Sequence, residues 1–255
     1  MRNESYVNEH WDELSHKVEW KELMFRINTL RRSTHIEAKQ LMGKLLCCSP
    51  EERCGSLACP VCIEIDRQEF TSSVVELFSK YKNKSFLTYI PYTVISSDKN
   101  LYDLELNFIK DKFRCYLKNS KITSPAVGCV EVDYDFNTNT WVPHIHVIIG
   151  LIPPQNFTHM RIVINKKHIP ARVEATARPL VRKQIYNLEK LCAYIYKFMW
   201  QRKPEIKNRS IKINKMRMPH ELFVEHLIYI DRLCMRDLEF RYGVRRGKNG
   251  LQVIP

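Results

Sequence analysis

Two histidines, His144 and His146, stand one residue apart within the otherwise apolar run "WVPHIHVII" at 141–149. On a strand, residues i and i+2 point to one face, so both imidazoles lie side by side while Ile145 and Val147 turn away. Neutral imidazoles so placed make half of a divalent-metal site. The preceding "AVGCVEVDYDF" (126–136) and a turn "NTNT" (137–140) make the region a β-hairpin. With a loop at 137–140, Asp133 faces His144 and Glu131 faces His146, which brings an acid to the histidine face. A carboxylate with two imidazoles and open positions suits Mg²⁺ or Mn²⁺ acting as a Lewis acid. Either Glu131 or Asp133 serves as third ligand. An odd loop without a bulge would turn both acids away. Ile148 stands where a His-x-His-x-Asp hydrolase would carry its aspartate, which disfavours that class.

A nucleophile candidate lies in "LEKLCAYIYKFMWQR" (188–202), where Tyr194 and Lys197 are spaced i and i+3 on one helical face. Tyr196 points almost the opposite way. A protonated phenol, with a pKa near 10, is a poor nucleophile. Lys197 can stabilise developing phenolate or hold a neighbouring phosphate. A metal and a phenolate together describe covalent attack on a phosphodiester.

The third cluster is "CCSPEERCGSLACPVC" at 47–62, which holds five of the nine cysteines. Cys59-x-x-Cys62 with Pro60 inside it forms a zinc half-site turn, closed by two further thiolates. Cys48, Cys54, Cys59 and Cys62 are the favoured ligands, with Cys47 as the alternative to Cys48. Such a site is structural. The other four cysteines, Cys115, Cys129, Cys192 and Cys234, lie far apart and read as small buried hydrophobes.

These residues need a scaffold. From 9 to 46 the apolar spacing is helical (Trp11, Leu14, Val18, Leu23, Ile27 and Leu30), an arm whose basic face includes Arg26, Arg31 and Arg32. Helices are expected over 63–81, 101–117, 186–200 and 221–235. Strands are expected at 86–94, at 162–169, within "DLEFRYG" (237–243), and in the hairpin. Strands and helices are mixed without strict alternation. That predicts an α+β fold with a largely antiparallel central sheet flanked by helices. The divisions are a helical N-terminal arm (1–46), a cysteine-rich zinc-binding knuckle (47–70), a catalytic core (71–205) and a basic C-terminal extension packed on the core (206–255).

Lys and Arg outnumber Asp and Glu by 41 to 28, a net charge of +13 in 255 residues, which suits a polyanionic partner. No run of eighteen apolar residues exists to span a membrane, and the polar start "MRNESYVNEHWDELSHK" lacks a signal-peptide core. With clustered thiols, these features predict a cytoplasmic location.

In combination the motifs resemble those of rolling-circle replication initiators of the HUH endonuclease superfamily, the plasmid Rep proteins that use one catalytic tyrosine. The resemblance covers 54–243. "CGSLACPVC" is similar to their cysteine signature, "FLTYIPYTV" to the first strand of their core, "VEVDYDFNTNTWVPHIHVIIG" to their metal-binding hairpin and "YIYK" to their tyrosine motif. "RDLEFRYGVRR" is similar to a segment that follows their core. The resemblance implies an HUH-like core that nicks one strand of plasmid origin DNA in single-stranded or hairpin form. Tyr194 is then left on the 5′ phosphate and a 3′ hydroxyl primes a polymerase. His144 and His146 bind the metal, with Glu131 or Asp133. A host helicase and polymerase are the implied partners, and a homodimer is compatible. Some members carry a glutamate four residues before the tyrosine; here that position is Lys190, and Glu189 is five before. The competing readings are a transposase or relaxase with the same site, and a zinc-containing DNA-binding repressor whose histidines are structural.

Overall fold

A computed structural model describes residues 13–49, 52–95, 100–169, 178–197, 202–203, 217–247 and 250–254. Its centre is a hairpin of two ten-residue strands, β2 (Ala126–Asp135) and β3 (Thr140–Ile149). Both strands are rich in β-branched residues, and every residue of β3 is buried, so the sheet is covered on both faces. The turn occupies 136–139, with Asn139 at φ 50°, a left-handed conformation that asparagine tolerates. The loop thus starts one residue earlier than the sequence suggests but keeps its even length. The acids therefore stay on the histidine face. Opposite pairs shift by two residues, so that Glu131 faces His144 and Asp133 faces Val142. Glycine is required at 128, because a Cβ there would lie 1.8 Å from the His146 carbonyl oxygen on the neighbouring strand.

Around the hairpin the sheet is completed by β1 (Ser85–Tyr89), β4 (Leu180–Gln184), β5 (Arg202–Lys203) and β6 (Glu239–Tyr242). The order is β4-β1-β3-β2-β5, with β6 also on β2; every pairing is antiparallel except the short β2–β5 pair. This is the expected α+β architecture with a largely antiparallel sheet flanked by helices. A separate hairpin, β7 (Val244–Gly247) and β8 (Gly250–Val253), follows.

Eight helices are described: α1 (Glu13–Arg32), α2 (Ile36–Leu46), α3 (Pro60–Ser79), α4 (Leu106–Asn119), α5 (Pro154–His168), α6 (Leu188–Ile195), α7 (His220–Asp231) and α8 (Met235–Leu238). The helix expected at 9–46 breaks at 33–35, where Ser33 Oγ accepts the His35 amide and competes with helix continuation. The strand expected at 162–169 is helical instead. Pro154 at the first turn starts α5, and Met160, Ile164 and His168 at fourfold spacing bury one face. The helix expected at 186–200 is shorter, with Tyr196 as its C-cap, and residues 198–200 lie outside those described. None of the described helices is long and apolar enough to cross a membrane.

The chain divides into two units. One comprises 1–66 and 220–232, the other 67–219 and 233–255. In the first, α1, α2 and α7 pack on one another. Arg26 is buried there, paired with Glu22 at 3.0 Å and donating to the Ala58 carbonyl at 2.9 Å, which ties the cysteine loop to α1. In the second, α4 covers one face of the sheet: Phe113 stacks on Tyr89 at 4.8 Å between ring centres. His168 of α5 closes this layer. Its Nε2 lies 3.3 Å from the hydroxyls of both Tyr89 and Tyr116.

Burial, with help from Lys112 and Lys167, holds His168 down at about 4. An unfolded chain carries this histidine near 6.5. Between those values the unfolded state binds the extra proton, so the stability linked to His168 is complete above about pH 6.5 and is lost as pH falls towards 4. Urea melts at pH 7.5 and 4.5 should show a smaller acid loss in His168→Gln than in the natural chain; equal losses would contradict this.

Candidate functional site

The hairpin register sets the first cluster. Glu131, opposite His144 and diagonal to His146, brings one carboxylate oxygen, Oε2, to 3.2 Å from Nε2 of each histidine. The rings stand 4.7 Å apart and nearly perpendicular. All three side chains are largely buried, and one donor atom from each lies within 4.8 Å of the others. Asp133 sits at the edge, its Oδ2 4.0 Å from His144 Nε2, and is outside that three-atom group. Of the two expected acids, Glu131 is the one at the convergence point.

The hydrogen bonds on the far sides of the rings decide what this point can hold. His144 Nδ1 lies 3.2 Å from the Val142 carbonyl, which can only accept, so Nδ1 carries the proton. A neutral His144 then aims an Nε2 lone pair at a carboxylate oxygen. Two acceptors 3.2 Å apart need a cation between them: a proton or a metal ion. His146 Nδ1 meets Thr88 Oγ1 at 3.0 Å, and its buried Nε2 makes no hydrogen bond although Glu131 Oε2 is near. Burial disfavours charge on His146 and keeps its pKa below the ordinary value, against the pull of Glu131. Burial also opposes charge on Glu131, but its contact with His144 and the attraction of both imidazoles win and hold it well below the usual carboxylate range. An anionic carboxylate beside imidazoles with inward-facing ring nitrogens fits a divalent cation.

Thr88 is a part of this site that the sequence did not disclose. The "FLTYI" pattern suggests a strand, but only the β1–β3 pairing sets Thr88 opposite His146. Phe86, on the same face, stacks against His146 at 5.3 Å between ring centres.

The helix α6 supplies the tyrosines. Its N-cap Asn187 accepts the Lys190 amide, and Cys192 and Ile195 face inward. Tyr194 is 43% exposed, with its ring 5.6 Å from that of His146. Tyr196 is fully buried, stacked on Phe70, and donates its hydroxyl to the Gly128 carbonyl at 3.0 Å. Burial pushes its phenol well above the ordinary value, with Cys129 and Glu239 adding to the effect. Tyr186 is 90% exposed and precedes the helix. Lys197 is exposed but lies past the helix end, so the expected shared helical face does not extend to it. Its amide bonds the Tyr194 carbonyl at 3.4 Å, which keeps it within one turn.

The cysteine cluster assembles in the other unit from Cys48, Cys54, Cys59 and Cys62. Cys47 is exposed and stays outside. The Sγ–Sγ separations are 3.6 Å (Cys48–Cys62), 3.7 Å (Cys54–Cys62) and 3.5 Å (Cys48–Cys59). Tetrahedral thiolates at about 2.3 Å from zinc would lie about 3.8 Å apart. Without a cation the thiols cannot all ionise. Bonds from Cys54 and Cys59 hold Cys62 well below the ordinary thiol range, against burial. Cys54 is drawn down by Cys59 but raised more by Cys62 and burial, to about 12. Hydrogen bonds to Cys54 and Cys62, with burial, push Cys59 up. Gly55, at φ 68°, makes the turn between ligands, and Arg53 bonds the Cys62 carbonyl at 3.0 Å and Asp66 at 2.6 Å.

No family model, curated protein or solved structure matches this chain.

Two measurements follow from these geometries. Thr88→Val keeps the shape but removes the partner of His146 Nδ1, and should weaken Mn²⁺ binding about tenfold by calorimetry, while Thr88→Ser restores it. Equal affinity in all three would remove Thr88 from the site. Cys59→Ser with Cys62→Ser should lower the melting temperature and eliminate bound zinc in elemental analysis, because ligation contributes to folding. Protein purified under reducing conditions with no bound metal would defeat the zinc assignment.

Proposed function

We propose that this chain is a metal-dependent DNA strand-nicking enzyme with an HUH-like core that initiates rolling-circle replication at a plasmid origin. What supports the reading is one juxtaposition. A half-exposed tyrosine ring, Tyr194, stands beside His146 of a buried Glu131–His144–His146 cluster. The net charge of +13 suits a DNA partner, and the motif order resembles that of the plasmid initiators.

Glu131, His144 and His146 hold the Mg²⁺ or Mn²⁺ ion, whose chemistry when bound is Lewis-acid polarisation of a phosphodiester. Asp133, buried with its Oδ2 4.0 Å from His144 Nε2, adds negative charge that favours a cation there. Tyr194, on the solvent side, has access to a single strand that buried Tyr196 lacks. Its phenolic oxygen forms a bond to phosphorus as the bond to the 3′ oxygen breaks. The phenol gives up its proton to solvent, and the departing 3′ oxygen takes one up from solvent. The 5′ phosphate remains on Tyr194, and the free 3′ hydroxyl serves a host polymerase, with a host helicase opening the duplex. Lys197, exposed one turn beyond Tyr194, contributes positive charge to the phosphate. Zinc at the four cysteines has a structural role in the other unit.

The test is incubation of the purified chain with a single-stranded oligonucleotide pool and Mn²⁺, followed by denaturing electrophoresis and peptide mapping of any adduct. A covalent adduct on Tyr194 is expected, absent in Tyr194→Phe and in the His144→Ala, His146→Ala double variant. Tyr196→Phe should still nick but lose about 1 to 3 kcal/mol of stability, because the Gly128 carbonyl loses its buried partner. An adduct on Tyr186 or Tyr196, or full activity in Tyr194→Phe, would overturn the nucleophile. Cleavage without an adduct would indicate a water nucleophile instead. No cleavage by the zinc-loaded chain would favour a DNA-binding repressor.

A further inference from the structure

In the unit of 1–66 and 220–232, α1 and α2 are joined by only three residues, 33–35, and both pack on α7. That is helix-turn-helix connectivity. The buried residues of α2, Ala38, Leu41 and Leu45, lie on one stripe. At a helical period the opposite ridge is Ile36, Lys39, Gln40 and Gly43.

Four features of this ridge point outward. Ile36 is 74% exposed, an apolar side chain that the core does not use. Gly43 has open space where a Cβ would stand, so another molecule can approach the helix backbone closely there. Lys39 and Gln40 are exposed between them, and Lys39 donates to the Arg31 carbonyl at the end of α1. Arg31, Arg32 and His35 are exposed beside it. The nearby acids are already matched: Glu37 by Arg232, and Asp231 by Lys44 at 2.7 Å. The ridge thus carries Lys39 and no acid of its own, and Arg31 and Arg32 at the end of α1 make the adjoining surface basic.

We propose that this ridge of α2, with the basic end of α1, docks on duplex DNA. Arg31, Arg32 and Lys39 meet phosphates, while Ile36 and Gln40 face base edges in a groove. The charge complements a phosphate backbone, and the width of a single helix suits the major groove. An apolar side chain can contact a thymine methyl, and an amide can pair with adenine. This assigns a second DNA contact to the chain, made with duplex rather than with the strand being cut. It stands on this unit alone and requires no nicking chemistry.

The experiment is fluorescence anisotropy of the full chain, zinc-loaded and without added Mg²⁺ or Mn²⁺, with a labelled random-sequence duplex over a range of salt concentrations. The triple variant Arg31→Ala, Arg32→Ala, Lys39→Ala should bind at least about tenfold more weakly, with the slope of log affinity against log salt shallower by about 2 to 3. Gln40→Glu places a negative charge on an exposed position and should also weaken binding. If circular dichroism shows the triple variant unfolded, Gln40→Glu decides alone. Both variants should nick a single-stranded oligonucleotide at the natural rate if the chain is an endonuclease. Natural affinity and salt slope in the folded variants, or no duplex binding by the natural chain, would overturn the proposal. A chain that binds duplex through α2 yet nicks nothing would instead sink the endonuclease reading and leave this one standing.

Discussion

Everything at the candidate site depends on the register of β2 against β3. Side chains on paired strands alternate with a period of two, so a one-residue slip of either strand would remove its contribution from the shared face. Slipping β2 would send Glu131 into the layer where Tyr89, Phe113 and His168 pack. A carboxylate there would be buried away from its imidazoles, at heavy cost. Two local features hold the register. The turn at 136–139 uses Asn139 in a left-handed conformation, and Gly128 lets the β2 backbone approach the His146 carbonyl where no side chain fits.

Both candidate metal sites share one electrostatic property: each gathers electron-donating atoms around a point where a cation would be stabilised. At Glu131 this shows as an acceptor–acceptor contact with His144, because the Val142 carbonyl fixes the proton on the other ring nitrogen. At the cysteines it appears as a divided titration, with Cys62 lowered while Cys54 and Cys59 are raised. The two differ in access. The cysteines are enclosed by Arg53, Asp66 and their own loop, as suits a structural ion, whereas the histidine cluster has a half-exposed tyrosine at its mouth.

That opening follows from the end of α6. Tyr194 and Tyr196 are two residues apart, which on a helix separates them by slightly more than half a turn. Tyr196, the C-cap, is anchored by Phe70 and the Gly128 carbonyl. Its burial fixes the rotation of the short helix and thereby turns Tyr194 towards His146. The buried tyrosine thus positions the exposed one.

Much of this was legible in the chain itself. The period-two pattern of 126–149 disclosed the hairpin, and His-x-His with acids at even spacing disclosed a shared face, because alternation is a local property. Cys-x-x-Cys with Cys54 and Cys48 upstream disclosed the four-thiol cluster, for the loop between ligands is too short to separate them. Other features were not legible. The segment 162–169 looks like a strand because Ile162, Val163 and Ile164 are β-branched, but packing of Met160, Ile164 and His168 on one side makes it helical. The sequence left Glu131 and Asp133 equivalent, and a two-residue shift in pairing put Glu131 at the convergence of both imidazoles. Thr88 joined the site only when β1 paired with β3 across more than fifty residues of chain. Local periodicity determined which residues share a face; long-range strand pairing decided which of them touch, because hydrogen-bond register between distant segments is set by the packing of the whole sheet.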